Sequence, residues 1–252
     1  IDFSKAIELN PTIQNYNNRA HFHMNYSFDL EASLNDYSKI LDIDSSSINA
    51  LNSKGLIYEK LEKYDLALLE YQKGIAFENT DPNVASYCYG NRAKLLNLLG
   101  DYEKAFEDYN QAIKLDPNNP YKLKNRASFF MKLKDYNGAL LDYSKAIELE
   151  PNKSENWYER AYLYQYYLLN FDAALNDYNQ MLKIDSADSY ALNAKGLIFE
   201  KQEKYELALK EYGKGISFES TKPGMASYCY SNRAKLYSDL DSLELALKDY
   251  TK

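Results

Sequence analysis

Small residues recur along this chain at spacings of 34 to 38 residues. The series is Ala20, Gly55, Ala93, Ala127, Ala161, Gly196 and Ala234. A second small residue follows each of these after 12 or 13 positions, and a tyrosine stands four further on: Tyr37, Tyr71, Tyr109, Tyr143, Tyr178, Tyr212 and Tyr250. Spacings of three and four place such residues on one stripe of a helix, so the pattern predicts two antiparallel helices per unit. No segment shows the alternation that is typical of a strand.

Turn residues mark the ends of these helices. Gly100 and Asp101 stand between the two helices of one unit, and Pro117 follows a second helix. Glycine suits the end of a helix, aspartate caps the next one, and proline blocks continuation. Where the spacing is longest, Asp81-Pro82 and Lys222-Pro223 predict a first helix that is longer by about a turn, with proline at its first position.

The chain also contains a longer duplication. Segment 86–95 returns almost unchanged as segment 227–236, so that Ser86 aligns with Ser227, four short units further on. Units of about 34 residues are typical of repeat proteins, in which each unit buries its apolar face only against its neighbours. The sequence therefore predicts a repeat architecture.

This combination of small and aromatic positions resembles the tetratricopeptide repeat family. The fifth unit carries the pattern in full: Trp157, Ala161, Tyr164, Ala174 and Tyr178. Departures are Ser33 at a small position and the missing proline at Asp44-Ser45 and Asp185-Ser186. The resemblance implies an all-α fold, a right-handed superhelix of antiparallel helix pairs. We expect the second helix of an upstream repeat at 1–11 and seven repeats in one continuous solenoid, at about 12–45, 46–81, 82–118, 119–152, 153–186, 187–222 and 223–252.

Both ends of the chain fall inside this pattern. Ile1 to Leu9 matches a lone second helix, and Lys252 stops partway through one. Terminal repeats need a polar capping face for solubility. We therefore expect the full protein to continue in both directions, and we expect self-association of the chain end to end through its uncapped terminal helices.

Composition narrows the choice of partners. The chain carries 37 acidic and 30 basic residues and a net charge of −7, so no field attracts phosphate backbones, and we expect no nucleic acid. No apolar run approaches the roughly 20 residues of a membrane span, so we expect no membrane insertion and a cytoplasmic protein. Cys88 and Cys229 occupy equivalent positions four repeats apart and are predicted to be free thiols, which agrees with a reducing compartment.

Catalytic signals are missing from the sequence. His21 and His23 stand two apart, so on a helix they point to different faces and cannot share a metal ion. Neither cysteine has a histidine near it in the pattern. We expect no enzyme activity, no catalytic or metal-binding residue, and no cofactor.

Tyrosine is abundant, with 26 residues. We expect most to be scaffold: the seven second-helix tyrosines and the turn tyrosines Tyr64, Tyr102, Tyr136 and Tyr205 are all predicted to lie in the core. Tyr158, Tyr162 and Tyr166 stand four apart on a face other than the core stripe. In the resembled family that face lines the concave groove. They are candidates either for peptide binding or for packing between neighbouring first helices.

Asparagine gives a second candidate series. Asn18, Asn91, Asn125 and Asn232 each stand two before the small residue of a first helix, although Ser53, Glu159 and Ala194 interrupt the series. A carboxamide can donate to and accept from a peptide backbone, and such ladders line the inner surface of superhelical repeat proteins. Local bonding between adjacent helices is the alternative. The arginines that follow, including Arg19, Arg92, Arg126, Arg160 and Arg233, are expected to bridge repeats to acidic partners.

The remaining inner-face candidates are basic or aromatic: Tyr121, Lys94, Lys124 and Lys235. A clamp for the carboxylate end of a partner is disfavoured, because the matching repeats lack the required Lys and Asn pair. We expect a non-catalytic scaffold that binds an extended or helical segment of a protein partner in its concave groove. The alternatives are a structural subunit held through its convex face or ends, and the regulatory arm of an enzyme whose catalytic domain lies elsewhere.

Overall fold

The computed structural model describes residues 3–221 and 223–252, and within those ranges the regular secondary structure is helical, without a strand. The helices are α1 Phe3–Leu9, α2 Ile13–Phe22, α3 Leu30–Ile43, α4 Ile48–Lys60, α5 Tyr64–Ile75, α6 Pro82–Leu99, α7 Tyr102–Leu115, α8 Pro120–Lys132, α9 Tyr136–Leu149, α10 Ser154–Tyr166, α11 Phe171–Ile184, α12 Ser189–Lys201, α13 Tyr205–Ile216, α14 Pro223–Asp239 and α15 Leu243–Tyr250. A π-helical turn, His23–Ser27, continues α2. The predicted all-α class is confirmed.

The chain divides into two compact units. The first unit runs to Phe129 and the second begins at Phe130. In the first unit α2 packs with α3, α4 with α5 and α6 with α7, while in the second α10 packs with α11, α12 with α13 and α14 with α15. First helices of adjacent repeats also touch, α4 with α6 and α12 with α14. The continuity of the solenoid and its repeat boundaries stay predictions.

Small residues and tyrosines form the core of each helix pair. Ala20, Ala93 and Ala161 are completely buried, as are Tyr71 and Tyr212. Small first-helix residues let the tyrosine ring of the second helix approach the backbone. At Gly55 a Cβ atom would overlap the ring of Tyr71, and Gly196 has the same relationship to Tyr212.

Three tyrosines that were predicted to be core residues are exposed. Tyr102 and Tyr205, in the turns, are 41% and 38% exposed, and Tyr250 is 58% exposed. Tyr102 lies at the first position of its helix, with its ring 6.4 Å from that of Phe129. A turn residue has neighbours on one side only, so the expectation was wrong for Tyr102 and Tyr205. It was also wrong for Tyr250, the last residue of α15, a helix that packs mainly against α14.

Each turn within a helix pair contains one left-handed residue. These are Phe28, Glu62, Gly100, Lys134, Leu169, Glu203 and Asp241. The next residue begins the second helix as its cap, and Asp101 and Asp135 accept hydrogen bonds from backbone N–H groups three residues on. Only Gly100 is the residue type that adopts this conformation without strain.

The two lengthened first helices begin as predicted. Asp81 accepts a hydrogen bond from the Val84 N–H at 3.1 Å, and Pro82 is the first residue of α6. Pro223 likewise begins α14, whereas Lys222 lies outside the described residues. At the start of the chain, α1 covers Phe3–Leu9, and the predicted first residue of that helix, Ile1, also lies outside them.

Arginines tie three helices together. Four of them each donate two hydrogen bonds of 2.7–2.8 Å to one buried carboxylate in the second helix of the same repeat: Arg19 to Asp36, Arg92 to Asp108, Arg160 to Asp177 and Arg233 to Asp249. A further nitrogen of four arginines reaches the preceding repeat: Arg19 to Ser4, Arg92 to Gln72, Arg126 to Asn110 and Arg160 to Ser144. Arginine therefore bridges repeats as expected, but its acidic partner lies within its own repeat.

In repeats two and six a lysine and a glutamate occupy the positions of the arginine and aspartate. Lys54 lies 3.8 Å from Glu70, and Lys195 lies 3.3 Å from Glu211. Both repeats carry glycine where the others carry alanine. An acidic residue precedes every second-helix tyrosine, and this regularity is the sequence signal for the pairing.

Cys88 and Cys229 are free thiols, as predicted, and the structure shows that both are buried. Each packs against a glycine of the preceding second helix, Gly74 and Gly215 respectively. Burial raises the pKa of the Cys88 thiol to about 12 and that of Cys229 to about 11.

Among the described residues, no helix combines the length and apolar character that a membrane span requires.

Candidate functional site

The three predicted tyrosines of α10 form a continuous row of rings. The centroids of Tyr158 and Tyr162 are 6.0 Å apart, and those of Tyr162 and Tyr166 are 4.6 Å apart. The row continues into the next repeat, because Tyr190 of α12 packs edge-on against Tyr158 at 4.8 Å, with the two hydroxyl oxygens 2.8 Å apart. Burial and the hydrogen bond to Tyr190 raise the pKa of Tyr158.

A cavity of about 190 Å³ opens beside this row, and we call it the tyrosine pocket. Its wall includes Tyr166, Tyr178, Tyr190, Asn193, Leu197 and Tyr228. Tyr178 is held in the floor by its hydroxyl, which donates to Gln165 at 2.7 Å, whereas Tyr166, Tyr190 and Tyr228 are 46%, 41% and 65% exposed. A volume of about 150 Å³ is enough for a benzene-sized ring, so the tyrosine pocket can admit one bulky side chain.

A second cavity of about 280 Å³ adjoins the first, and Tyr190 contributes to the walls of both. The other lining residues of this acidic pocket are Ser154, Glu155, Tyr158, Met181 and Asp188. Glu155 is exposed and Asp188 is half-buried. The acidic pocket therefore combines two carboxylates with two tyrosine rings.

The asparagine series forms pairs between adjacent first helices. Asn232 donates to the carboxamide oxygen of Asn193 at 2.8 Å, and Asn91 donates to that of Asn52 at 2.9 Å. Ser53 and Ala194 were expected to interrupt the series, but they do not. The residue one position earlier, Asn52 or Asn193, makes the contact instead. Asn18 lies apart from these pairs, exposed and accepting from Gln14.

In the first unit the structure brings together Lys94, Tyr121 and Asn125. The Lys94 ammonium donates to the Tyr121 hydroxyl at 2.6 Å and lies 4.5 Å from its ring centroid. These hydrogen bonds, from Lys94 first and from Asn125, lower the pKa of Tyr121. Lys124 is half-buried nearby in sequence, and Lys235 of the second unit is exposed.

The two histidines have different surroundings in the structure. His21 is exposed, and the Nδ1 atom of His23 lies 3.0 Å from the Ser27 hydroxyl. Across residues 3–221 and 223–252, no three His, Cys, Asp or Glu side chains are grouped as metal ligands. The geometry suits recognition of another molecule by contact.

The sequence did not predict the lining residues of the tyrosine pocket that α12 and α14 supply, among them Tyr190, Asn193, Leu197 and Tyr228. Tyr190 meets Tyr158 from α12, the first helix of the next repeat, so no spacing within one helix could reveal the contact. A signal was available for Asn193, because the duplication aligns it with Asn52.

Tandem helix pairs tied together by small residues, tyrosines and ion pairs define this chain as an α-helical repeat protein. Models of the tetratricopeptide repeat match residues 48–81, 86–119, 125–153 and 160–217, which together are more than half of the chain. The chain belongs to the tetratricopeptide repeat family. Proteins of this family generally act as non-catalytic scaffolds for interactions between proteins.

Curated relatives agree with this assignment. Two TPR repeat-containing proteins of Methanocaldococcus jannaschii are 38% identical over 93 residues and 37% identical over 83 residues. These matches cover 37% and 32% of this chain but only 16% and 26% of the relatives.

Solved structures show the same fold. The C-terminal part of a TPR repeat-containing protein from Cytophaga hutchinsonii matches with a TM-score of 0.73 at 18% identity, over 92% of this chain and 93% of that one. Yeast Tom70 matches at 0.63 and 20% identity, over 97% of this chain and 49% of its own. YrrB, described as a TPR protein with an unusual peptide-binding site, matches at 0.55 and 18% identity, over 75% of this chain and 95% of its own. At these identities the likeness shows the fold.

Proposed function

We propose that this chain is a scaffold that binds a short segment of a protein partner at the tyrosine pocket of the second unit. The observation that carries the proposal is the exposure of Tyr166, Tyr190 and Tyr228 around a cavity large enough for one side chain. Tyrosine offers a large rigid contact area with a polar tip and is enriched at binding hot spots. The negative net charge favours a protein partner over a polyanion.

Asn193 in the wall of the tyrosine pocket, together with its hydrogen-bonded partner Asn232, supplies the polar part of the proposed site. Asn232 uses one N–H on Asn193, so its own oxygen stays available, and Asn193 keeps its amide donors. Those groups can accept from and donate to a peptide backbone, whatever its side chains are. The proposed role of Asn232, and of Asn91 in the first unit, is therefore compatible with the contacts between helices that both residues make.

Four further candidate residues support the proposed binding site less directly. Tyr158 and Tyr162 support Tyr190 and Tyr166, and so contribute to the proposed site through ring packing as well as through their own surface. Lys94 and Tyr121 already bind each other. A ligand at that place would have to compete with this contact, so we place the principal site in the second unit.

A peptide array tests the proposal directly. The folded chain is applied to an immobilised library of random peptides, and the bound set is compared with those of Tyr190→Ala and of Asn49→Ala, the exchange at the position that the duplication aligns with Tyr190. Peptides that bind the parent chain and the Asn49 variant, but not the Tyr190 variant, support the tyrosine pocket. Circular dichroism shows that each variant is helical. Equal binding by all three proteins would refute the site.

A further inference from the structure

The two sequence copies differ in a concerted way around the tyrosine pocket. In the alignment that places Ser86 on Ser227, the counterparts of Tyr158, Tyr162, Tyr166 and Tyr190 are Asn17, His21, Asn25 and Asn49, while those of Glu155 and Asp188 are Gln14 and Ser47. The scaffold positions do not change in this way, since Arg160 and Asp177 correspond to Arg19 and Asp36, which form the same ion pair. The first unit thus builds its helix pairs without the tyrosines and carboxylates. These residues are dispensable for the repeat fold, and they occur together.

Charge in the acidic pocket is not neutralised by the neighbouring lysine. Lys153 pairs with Glu150 at 2.7 Å rather than with Glu155. Asp188 caps α12 through one oxygen, and its other oxygen accepts from the Ser154 hydroxyl at 3.3 Å, so its charge is held in place by neutral donors. Two negative charges in a pocket that Tyr158 and Tyr190 also line favour a cation.

The chain already places lysines over tyrosine rings in its first unit. Lys94 lies 4.5 Å from the ring centroid of Tyr121, and Lys122 lies 3.9 Å from that of Tyr87. Packing of a cation on a tyrosine ring is therefore a contact that this fold accommodates.

We infer, building on the proposed function, that the two pockets together recognise an extended segment with a bulky apolar side chain and a lysine or arginine two residues apart. The apolar side chain enters the tyrosine pocket, and the cation lies in the acidic pocket. Tyr190 lines both pockets, so they are adjacent. In an extended chain residues i and i+2 point to the same side about 7 Å apart, which suits neighbouring pockets.

Fluorescence anisotropy with synthetic peptides tests this inference. The probes share a Gly-Ser-Ala background and carry Leu-x-Arg, Arg-x-Leu, Leu-x-Glu or Ala-x-Arg. We expect one of the two Leu and Arg orders to bind about threefold to tenfold more tightly than Leu-x-Glu, as one exposed ion pair with a cation–π contact would give. Raising the salt concentration should reduce that preference. The Ala-x-Arg probe should bind weakly.

Isosteric variants assign the preference to the two carboxylates. Glu155→Gln with Asp188→Asn removes both charges while asparagine still caps α12. This double variant should bind the Leu and Arg probe and the Leu-x-Glu probe equally. Asp65→Asn with Glu103→Gln removes the same charge from exposed sites of the first unit, and it should keep the preference.

The outcomes separate the inference from the proposed function. Equal affinity of the parent chain for the Arg and Glu probes, or a preference that survives the double variant, overturns the inference. The proposed function would still stand if the array gives binders that depend on Tyr190. An array without such binders overturns both.

Discussion

Arg160 of α10 donates to both carboxylate oxygens of Asp177 in α11, each at 2.8 Å, while the carboxylate is almost completely buried. This pair joins the two helices of one repeat. A third donor of Arg160 reaches Ser144 at 3.0 Å and so joins the preceding repeat as well. Removing the arginine would leave a buried charge without its partner.

We therefore predict that Arg160→Met destabilises the chain by about 3 kcal/mol or more, the typical cost of breaking one side of a buried ion pair. Urea unfolding followed by circular dichroism measures the loss. The double exchange Arg160→Lys with Asp177→Glu should recover part of it, because repeats two and six hold the same place with Lys and Glu. A stability of Arg160→Met equal to that of the parent would contradict a structural role for the pair.

Gly55 should not tolerate a side chain. A Cβ atom there would overlap the ring of Tyr71, which is completely buried and cannot move aside without disturbing the core. We predict that Gly55→Ala costs about 1–3 kcal/mol, the usual range for overpacking.

The matched control for Gly55 is Gly90. It also lies in a first helix, but a Cβ atom there meets nothing within 4 Å. Gly90→Ala should therefore stabilise the chain by about 0.5–1 kcal/mol, because alanine loses less conformational entropy in a helix. The same sign of change for both variants in urea unfolding would count against the explanation.

Gly100 should be replaceable only at a conformational cost. Its φ of 87° is left-handed, and a Cβ atom would meet nothing within 4 Å, so packing does not enter. We predict that Gly100→Ala destabilises the chain by about 1 kcal/mol. Gly100→Asn should cost less, since asparagine tolerates this region, and thermal unfolding of the two variants provides the comparison.

Both thiols should be nearly inert in the folded chain. Because burial raises the pKa of Cys88 to about 12 and that of Cys229 to about 11, little thiolate exists at pH 8. We predict that a thiol reagent such as Ellman's reagent modifies them at least about 100-fold more slowly than it does in the unfolded chain. Fast labelling of either cysteine before global unfolding would contradict this prediction, because it would show that the surrounding core opens locally.

The same pKa shifts predict how stability depends on pH. A thiol whose pKa is higher in the folded state contributes stability that is fully present below its ordinary pKa and is lost as the pH rises towards 11 or 12. Cys88→Ala should flatten this alkaline part of the stability curve. Unfolding by urea at a series of alkaline pH values measures the difference.

The sequence predicted the helices well because three- and four-residue spacings report directly on a helix face. It also predicted the starts of α6 and α14 and the free cysteines, which depend on local chemistry or on the duplication. It failed where a contact joins two repeats, as with Tyr190 and Tyr158. The exposure of Tyr102 depends likewise on neighbours that spacing does not report.

A shift of one position explains why the sequence did not predict two of the asparagine contacts. Asn193 and Asn52 lie one residue before the repeat position that Asn232 and Asn91 occupy. Each carboxamide nevertheless bonds to its partner on the next first helix. Two residues that meet across adjacent helices need not occupy the same position of the repeat, so a strict alignment of positions does not reveal the contact. The left-handed turn residues were hidden for a related reason, since Phe28 and Leu169 are not types that signal this conformation.

Arginine contacts that reach the preceding repeat have a consequence for motion. In a repeat protein each unit is stabilised by its neighbours, so local opening becomes rarer as more contacts span an interface. A peptide that bridges α10 and α12 would add one more such contact. Its binding would then slow amide hydrogen exchange in α11 and α13, two helices whose backbones the peptide need never touch.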